Sequence, residues 1–225
     1  MWRERSLGLV RDKKLKLNEL FYSIQGESSW VGKPTVFVRL TGCNLRCNYC
    51  DSQYSYQQGE MVSLSDLIER IVSYSCRHVC ITGGEPLLQK PVTALMEQLC
   101  DLGYFVSLET SGSISCQEVD QRVKIILDVK TPGSGAPNSF LLENLQFATQ
   151  TTEFKFVISS ENDFLWAEAF ASRHGLFDNH VVLYSPAFDV VEPKWLAQKI
   201  LFARSRAQLQ LQLHKYIWSP SERGV

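Results

Sequence analysis

The sequence predicts an α/β fold, an incomplete and open (β/α) barrel, on three observations. Short apolar runs alternate with helix-periodic segments along most of the chain, the pattern of parallel strands with helices packed outside them. Several of those runs are near-continuously apolar, as strands buried on both faces are. The 225 residues fall short of the about 250 that a full eight-unit barrel takes. No independent linker divides the chain, so residues 1–225 are read as a single domain. Within it, residues 1–34 look committed to the site rather than to a barrel unit.

The apolar runs place strands at 36–40, 78–81, 104–109, 123–128, 154–158, 181–184 and 208–214. Leu64, Leu67, Ile68, Ile71 and Val72 recur at helical spacing after the capping residue Ser63. Val92, Leu95, Met96, Leu99 and Leu102 do the same, with Pro91 in the first turn and Gly103 as the stop. Phe164, Ala167, Phe170 and Ala171 form a third stripe, ended by Gly175. A fourth helix starts near Pro193 and carries Trp195, Leu196, Lys199 and Ile200. All four stripes are read as core packing. The stretch Gly133-Ser134-Gly135-Ala136-Pro137-Asn138 is the most flexible-looking and is read as a surface loop.

Composition excludes more than it selects. Hydrophobic residues make up 44% and charged residues 21%, and the net charge is −1. That is an ordinary globular balance, with no pointer to nucleic acid or a membrane surface. No apolar run is long enough to span a bilayer, and Met1-Trp2-Arg3-Glu4-Arg5 is not followed by the apolar stretch of a secretory signal. The seven cysteines are an odd number in a chain of this size, so reduced thiols and a cytoplasmic setting are expected rather than a disulfide framework. Cys76, Cys80, Cys100 and Cys116 are scattered and read as small packed hydrophobes.

Cys43, Cys47 and Cys50 stand in the run Cys43-Asn44-Leu45-Arg46-Cys47-Asn48-Tyr49-Cys50. Three thiolates this close can hold three irons of a cubane cluster, whereas four close such a site. One iron would keep open positions, and those suit chemistry rather than structure. Structural zinc wants four tight ligands, usually from two Cys/His pairs. Here a second pair is missing and the nearest histidine downstream is His78. The cysteine run follows the first barrel strand. Gly83-Gly84-Glu85-Pro86 follows the second, Thr110-Ser111-Gly112 the third and Lys130 the fourth, all at the ends where such folds place their chemistry. Glycine there is either a turn or a place where backbone approaches a ligand closely.

The cysteine spacing, directly after a strand and followed by Asp51, resembles the radical S-adenosylmethionine (SAM) superfamily. Ser23-Ile24-Gln25-Gly26-Glu27, Phe37-Val38-Arg39-Leu40-Thr41-Gly42-Cys43, Thr82-Gly83-Gly84-Glu85-Pro86 and Leu211-Gln212-Leu213-His214-Lys215 extend the likeness. Together they resemble the 7-carboxy-7-deazaguanine synthase family, from about residue 17 to the C-terminus. The resemblance implies a barrel of the radical SAM type, with a [4Fe–4S] cluster on Cys43, Cys47 and Cys50 and SAM chelating the fourth iron. Tyr49, Cys50 and Asp51 would meet the adenine and ribose, and Gly84 the methionine end. Ser111, the segment Asp128, Val129, Lys130, and Ser185 and Pro186 complete the SAM contacts. Lys130, just beyond a buried strand, would pair with the SAM carboxylate, unless it is a solvated surface lysine. Ser52 would be a magnesium ligand, a hydroxyl that otherwise reads as a helix cap or turn residue; Mg²⁺ prefers oxygen ligands and keeps several waters.

The family's substrate, 6-carboxy-5,6,7,8-tetrahydropterin, offers a donor/acceptor edge and one carboxylate. Gln25 and Glu27 suit the edge, with Ile24 and Gly26 supplying backbone and packing, so that 1–34 becomes a substrate-binding segment. Arg39 suits the carboxylate as a bidentate clamp; a surface salt bridge is the plainer alternative. Thr82 lies beside the glycines. In 208–214 the leucines 209, 211 and 213 alternate with Gln208, Gln210, Gln212 and His214. Period two puts the polar residues on one face, either solvated or turned inward; the resemblance favours Gln212 and His214 lining a pocket. A deoxyadenosyl radical would take hydrogen from C6, the ring would contract, ammonia would leave and SAM would be regenerated. The resemblance further implies a homodimer and a one-electron donor such as flavodoxin. Two rivals share the cysteine run: an activase that installs a glycyl radical, and a non-catalytic iron–sulfur or zinc protein.

Overall fold

The computed structural model describes residues 13–225. Nine strands are present among the described residues: β1 (Lys14–Ile24), β2 (Pro34–Leu40), β3 (Glu60–Ser63), β4 (His78–Gly83), β5 (Phe105–Thr110), β6 (Lys124–Asp128), β7 (Glu153–Ile158), β8 (Val181–Pro186) and β9 (Gln208–Leu209). They form one sheet in the order β3-β1-β2-β4-β5-β6-β7-β8-β9. From β2 through β4 to β9 every pairing is parallel, while β1 runs antiparallel to both β2 and β3. The end strands β3 and β9 do not pair, so the barrel is open.

The helices α1 (Leu64–Ser73), α2 (Val92–Asp101), α3 (Glu161–Arg173) and α5 (Pro193–Ala203) are the four expected, joined by short α4 (Leu176–Asn179) and α6 (His214–Ile217). Ser63 Oγ accepts from the Asp66 N–H at 3.1 Å and starts α1. The face of α1 that meets the sheet is Leu64, Leu67 and Ile71; Val72, counted in the same stripe, is exposed. α2 buries Val92, Leu95, Met96 and Leu99. α3 buries Phe164, Ala167 and Ala171 after its cap Ser160. Lys199 of α5 is not core: it pairs with Glu161 at the start of α3.

Six of the seven expected strands match β2 and β4 to β8. β1 and β3 were not expected. Residues 1–12 of the N-terminal segment lie outside the described residues, and half of the rest is β1. Because β1 runs against the parallel strands, its end, Ile24, pairs with Pro34 at the start of β2. The loop that follows therefore lies beneath the barrel. There Ser28 N–H donates to Gln210 Oε1 at 2.7 Å, and Gln210 Nε2 donates back to Ser28 O at 3.3 Å. The Ser29 N–H donates to the buried Glu153 carboxylate at 3.1 Å. Trp30 packs edge-on to His78, ring centroids 5.0 Å apart. The loop is a floor.

The expected strand 208–214 is a correction. Pairing stops after Leu209, and residues 214–217 are helical. The alternation fails as well: Gln208 and Leu209 are both exposed, and Gln210 is buried. No further strand adjoins β9, so the chain turns instead across the open side. Leu213 N–H donates to Gly26 O at 3.0 Å, Lys215 pairs with Asp51 at 2.8 Å, and the Arg223 guanidinium lies 3.9 Å from the Tyr54 ring centre. The stretch 133–138 is a largely exposed loop, as expected, but it is anchored: Ser134 is buried and its carbonyl accepts from the Asn48 N–H in the cysteine run at 2.8 Å.

Gln210→Ala should cost about 1–3 kcal/mol, because it strands the buried Ser28 N–H without an acceptor. Denaturant unfolding measures this, and a loss near zero would mean that the floor is not held from β9.

Candidate active site

A cavity of about 440 Å³ opens at the C-terminal ends of the parallel strands. Cys43, Cys47 and Cys50 line it from the loop after β2, and Ile24, Gln25, Gly26 and Glu27 line it from the floor. Both halves of the expected site thus face one space.

The upper half holds the three thiols. All are free and half-buried. Burial pushes the Cys43 and Cys47 thiols up; the nearby charges of Glu85 and Cys50 add to this at Cys43, and at Cys47 Asp128 does so while Lys130 opposes it. Among the described residues no three His, Cys, Asp or Glu side chains are arranged to hold a single metal ion. Three thiols that share a cavity without forming such a group suit separate irons of a cluster. Gly84 packs against this loop. An added Cβ there would lie 2.2 Å from Gly42 O and 2.7 Å from Cys43 Cβ, so close packing on the cysteine run itself requires a glycine. Glu85 is turned away to the end of β5, where it accepts from Ser111 N–H at 2.9 Å, Ser111 Oγ at 2.6 Å and Thr110 Oγ1 at 2.8 Å.

Lys130 is not a surface lysine. Its side chain is 12% exposed and sits 3.0 Å from Asp128 Oδ1, close enough for charge attraction but without the alignment of a hydrogen bond. Asp128 Oδ1 and the Tyr49 hydroxyl are buried with no hydrogen-bond partner among the described residues. The Lys130–Asp128 ion pair and the Tyr49 hydroxyl line the cavity, where a polar ligand would meet both charges. Ser185 lines the same cavity. Val129 and Pro186 do not: Val129 is core, with its N–H on Lys155 O at 2.8 Å, and Pro186 lines a neighbouring depression. Ser52 precedes a 3₁₀ turn, yet its side chain caps nothing and lies 3.7 Å from Cys50 Sγ.

The lower half is polar and dense. Gln25 is buried; its Oε1 accepts from the Glu27 N–H at 3.1 Å and its Nε2 donates to Glu109 Oε1 at 3.3 Å. Thr82 Oγ1 donates to Glu109 Oε2 at 3.1 Å. Glu27 accepts from Gln212 Nε2 at 2.9 Å and from Lys155. Gln212 and His214 do reach the cavity, from the crossing segment rather than from a strand face. His214 lies on Gly26, where an added Cβ would sit 2.2 Å from Nδ1. Burial first, then the lysines Lys215 and Lys155, hold the His214 pKa below its usual value against the pull of Glu27 and Asp51.

Arg39 is neither exposed nor fully spent. It faces Thr82 in register across β2 and β4. Its Nε donates to Glu19 Oε1 at 2.6 Å, and Tyr54 Oη holds the same oxygen at 2.7 Å. Among the described residues its two terminal nitrogens have no acceptor. A guanidinium fixed from behind with its outer nitrogens toward a cavity is prepared for a carboxylate.

The expected list lacked Glu19, Tyr54, Glu109 and Lys155, and residues 220–225, which line the mouth of the cavity. Glu109 had a faint signal, a carboxylate in an otherwise apolar run just before the Thr110-Ser111 turn. Lys155 had a similar one in 154–158. Burial, then the Glu27 charge, raises the Glu109 pKa, although Lys155 opposes this. Burial also works against the Glu27 carboxylate, but Lys155 outweighs it and the net pKa is lowered. The two carboxyls thus differ: Glu27 is the anion, Glu109 the readier proton donor.

A carboxyl with a raised pKa in the fold stabilises it below the unfolded value, and that contribution is lost as pH rises through the folded value. Glu109→Gln does not titrate. The Tm of the variant minus that of the wild-type apoprotein should therefore climb as pH rises above the ordinary glutamate value of 4.5, at on the order of 2–4 °C per kcal/mol. A difference that stays flat to pH 8 would remove the raised pKa.

The model of the radical SAM superfamily matches residues 37–131. A 7-carboxy-7-deazaguanine synthase of Chlorobaculum tepidum is 42% identical over 94% of this chain and 97% of its own length. That of Koribacter versatilis is 41% identical over 94% and 100%, and that of Thermoplasma acidophilum 33% identical over 90% and 96%. The crystal structure of QueE from Escherichia coli superposes with a TM-score of 0.76 at 22% identity, covering 94% of this chain and all of that one, which supports the fold. With fold, cysteine run and relatives in agreement, the chain belongs to the 7-carboxy-7-deazaguanine synthase family of the radical SAM superfamily.

Proposed function

We propose that the cavity binds SAM above and 6-carboxy-5,6,7,8-tetrahydropterin below, and that the chain converts the pterin to 7-carboxy-7-deazaguanine with loss of ammonia. The observation that carries this reading is the shared cavity: the three thiols and the Gln25–Glu27–Glu109 floor face each other across one space. An activase for a large partner has no use for a closed polar floor. A non-catalytic iron–sulfur protein needs a fourth ligand, and the other cysteines are elsewhere in the fold. Cys80 and Cys116 are buried in the core, and Cys76 donates to Pro34 O at 3.2 Å at the opposite end of the strands.

A [4Fe–4S] cluster and SAM bound in the upper half would supply the radical chemistry needed at C6 of the pterin. The protein's own residues place and shield the reactants. Cys43, Cys47 and Cys50 hold the cluster; Tyr49, Asp128 and Lys130, with Gly84 and Ser111, hold SAM. Gln25, Glu27 and Glu109 read the pterin edge with both donors and acceptors. Arg39 takes the carboxylate, and His214 and Gln212 close the side. Ser52 fixes magnesium. A one-electron donor such as flavodoxin, a homodimer and a cytoplasmic setting complete the reading. Among the described residues no helix is long and apolar enough to cross a membrane.

Anaerobic reconstitution with iron, sulfide and SAM should give 5′-deoxyadenosine, and product only when the pterin is added. No pterin-dependent product would refute the assignment. Cys43→Ala, Cys47→Ala and Cys50→Ala should each lose the cluster by iron and sulfide content. Cys76→Ala, Cys80→Ala, Cys100→Ala or Cys116→Ala should keep it at a stability cost of up to ~2 kcal/mol. Ser52→Ala should need more magnesium for half-maximal rate, because water replaces one of about six ligands. Superimposable magnesium titrations would return Ser52 to the role of a turn residue.

A further inference from the structure

Lys155 lies in the middle of β7, whose six residues are all buried. Its neighbours Phe154 and Phe156 are fully buried in the core. A lysine in such a strand is costly unless its charge is paired. Here it is paired twice. The ammonium donates to Glu27 Oε2 and lies 3.3 Å from Asp128 Oδ2. Asp128 is its register partner on β6, so the sheet sets the two residues side by side. Glu27 belongs to the floor loop, which no sheet pairing holds. Among the described residues no other side chain is bonded or ion-paired to both carboxylates. Burial alone would lower the Lys155 pKa, but Glu27, Asp128 and Glu109 outweigh it, and the cation is retained.

Resting on the function proposed above, we propose that Lys155 is a positioning residue that locks the pterin-facing Glu27 to the SAM-facing Asp128, so that each ligand binds more tightly when the other is present. The physical reason is ordering. A ligand that engages Asp128 and Lys130 fixes the ammonium, and a fixed ammonium holds Glu27 in place before the pterin arrives. The second ligand then bears less of the ordering cost, and the effect is reciprocal. Hydrogen abstraction is sensitive to such placement: a shift of about 1 Å can cost on the order of 10²-fold in rate.

The test uses the full chain, cluster-loaded and anaerobic. The pterin Kd is measured by equilibrium dialysis with and without SAM, the SAM Kd with and without the pterin, and product is counted per 5′-deoxyadenosine formed. In the wild type each ligand should tighten the other by the same factor, within the ordinary span of about 5–150-fold. In Lys155→Met that factor should fall to about one, and product per 5′-deoxyadenosine should drop by about tenfold or more. Lys155→Arg keeps the charge but changes its reach and shape, and should restore part of both. A wild type without coupling overturns the proposal, as does a Lys155→Met protein with wild-type coupling and yield. If Lys155→Met does not fold, Lys155→Arg decides: unchanged coupling and yield in it overturn the proposal. A wild type that binds no pterin refutes the function and this proposal together. A wild type that turns over, with variants that behave like it, refutes this proposal alone.

Discussion

β1 runs against every barrel strand, and the site depends on that single reversal. The parallel strands all end at one face, where the cysteine run, Gly84, Ser111 and Lys130 gather. A ligand pocket made only from those ends would have a lid and walls but no base. The antiparallel strand delivers its last residue to the far end and sends Gln25, Gly26 and Glu27 up from beneath. The floor is then pinned by Gln210 and by the Glu153 carboxylate. The cysteine run and the polar floor thus reach one cavity from opposite ends of one sheet.

The second constraint is charge in a confined space. Six side-chain carboxyls (Glu19, Glu27, Asp51, Glu109, Asp128 and Glu222), three lysines (Lys130, Lys155 and Lys215) and two arginines (Arg39 and Arg223) line the cavity. Most charges are shared between elements rather than within one. Lys155 ties the floor to β6, and Gln212 Nε2 bridges Glu27 at 2.9 Å and Asp51 at 3.3 Å. Lys215 ties Asp51 to the crossing segment. Glu109 stands outside these ion pairs, held only by neutral donors, Gln25 and Thr82. Burial and then the Glu27 charge raise its pKa against the pull of Lys155 and Arg39, whereas the lysines outweigh burial at Glu27 and Asp128 and hold theirs down.

Much of this was legible in the sequence. Near-continuous apolar runs mark β2 and β4 to β8, and helical spacing marks the outer helices, because burial on both faces and on one stripe are strong periodic signals. Motif positions translate directly into strand ends. β1 carries only a short period-two signal, Lys14-Leu15-Lys16-Leu17, before the mixed run that leads into Gln25-Gly26-Glu27. The 208–214 alternation misled for the converse reason: Gln210 turns inward to bond the floor, a long-range demand that local periodicity does not contain. Glu109 and Lys155 each interrupt an apolar strand, and Arg39 does too. Local sequence suggests a role only for Arg39, which suits a ligand carboxylate, whereas the partners of Glu109 and Lys155 lie on other elements of the fold.

The central claim is that the cavity sets C6 of the pterin against the 5′ carbon of SAM. It is tested most directly by turnover of pterin deuterated at C6. The account predicts that the deuterium appears in the 5′ position of recovered SAM or 5′-deoxyadenosine, and that the rate falls relative to unlabelled substrate. Deuterium retained in the product or lost only to solvent, with none in the adenosyl group, would contradict it.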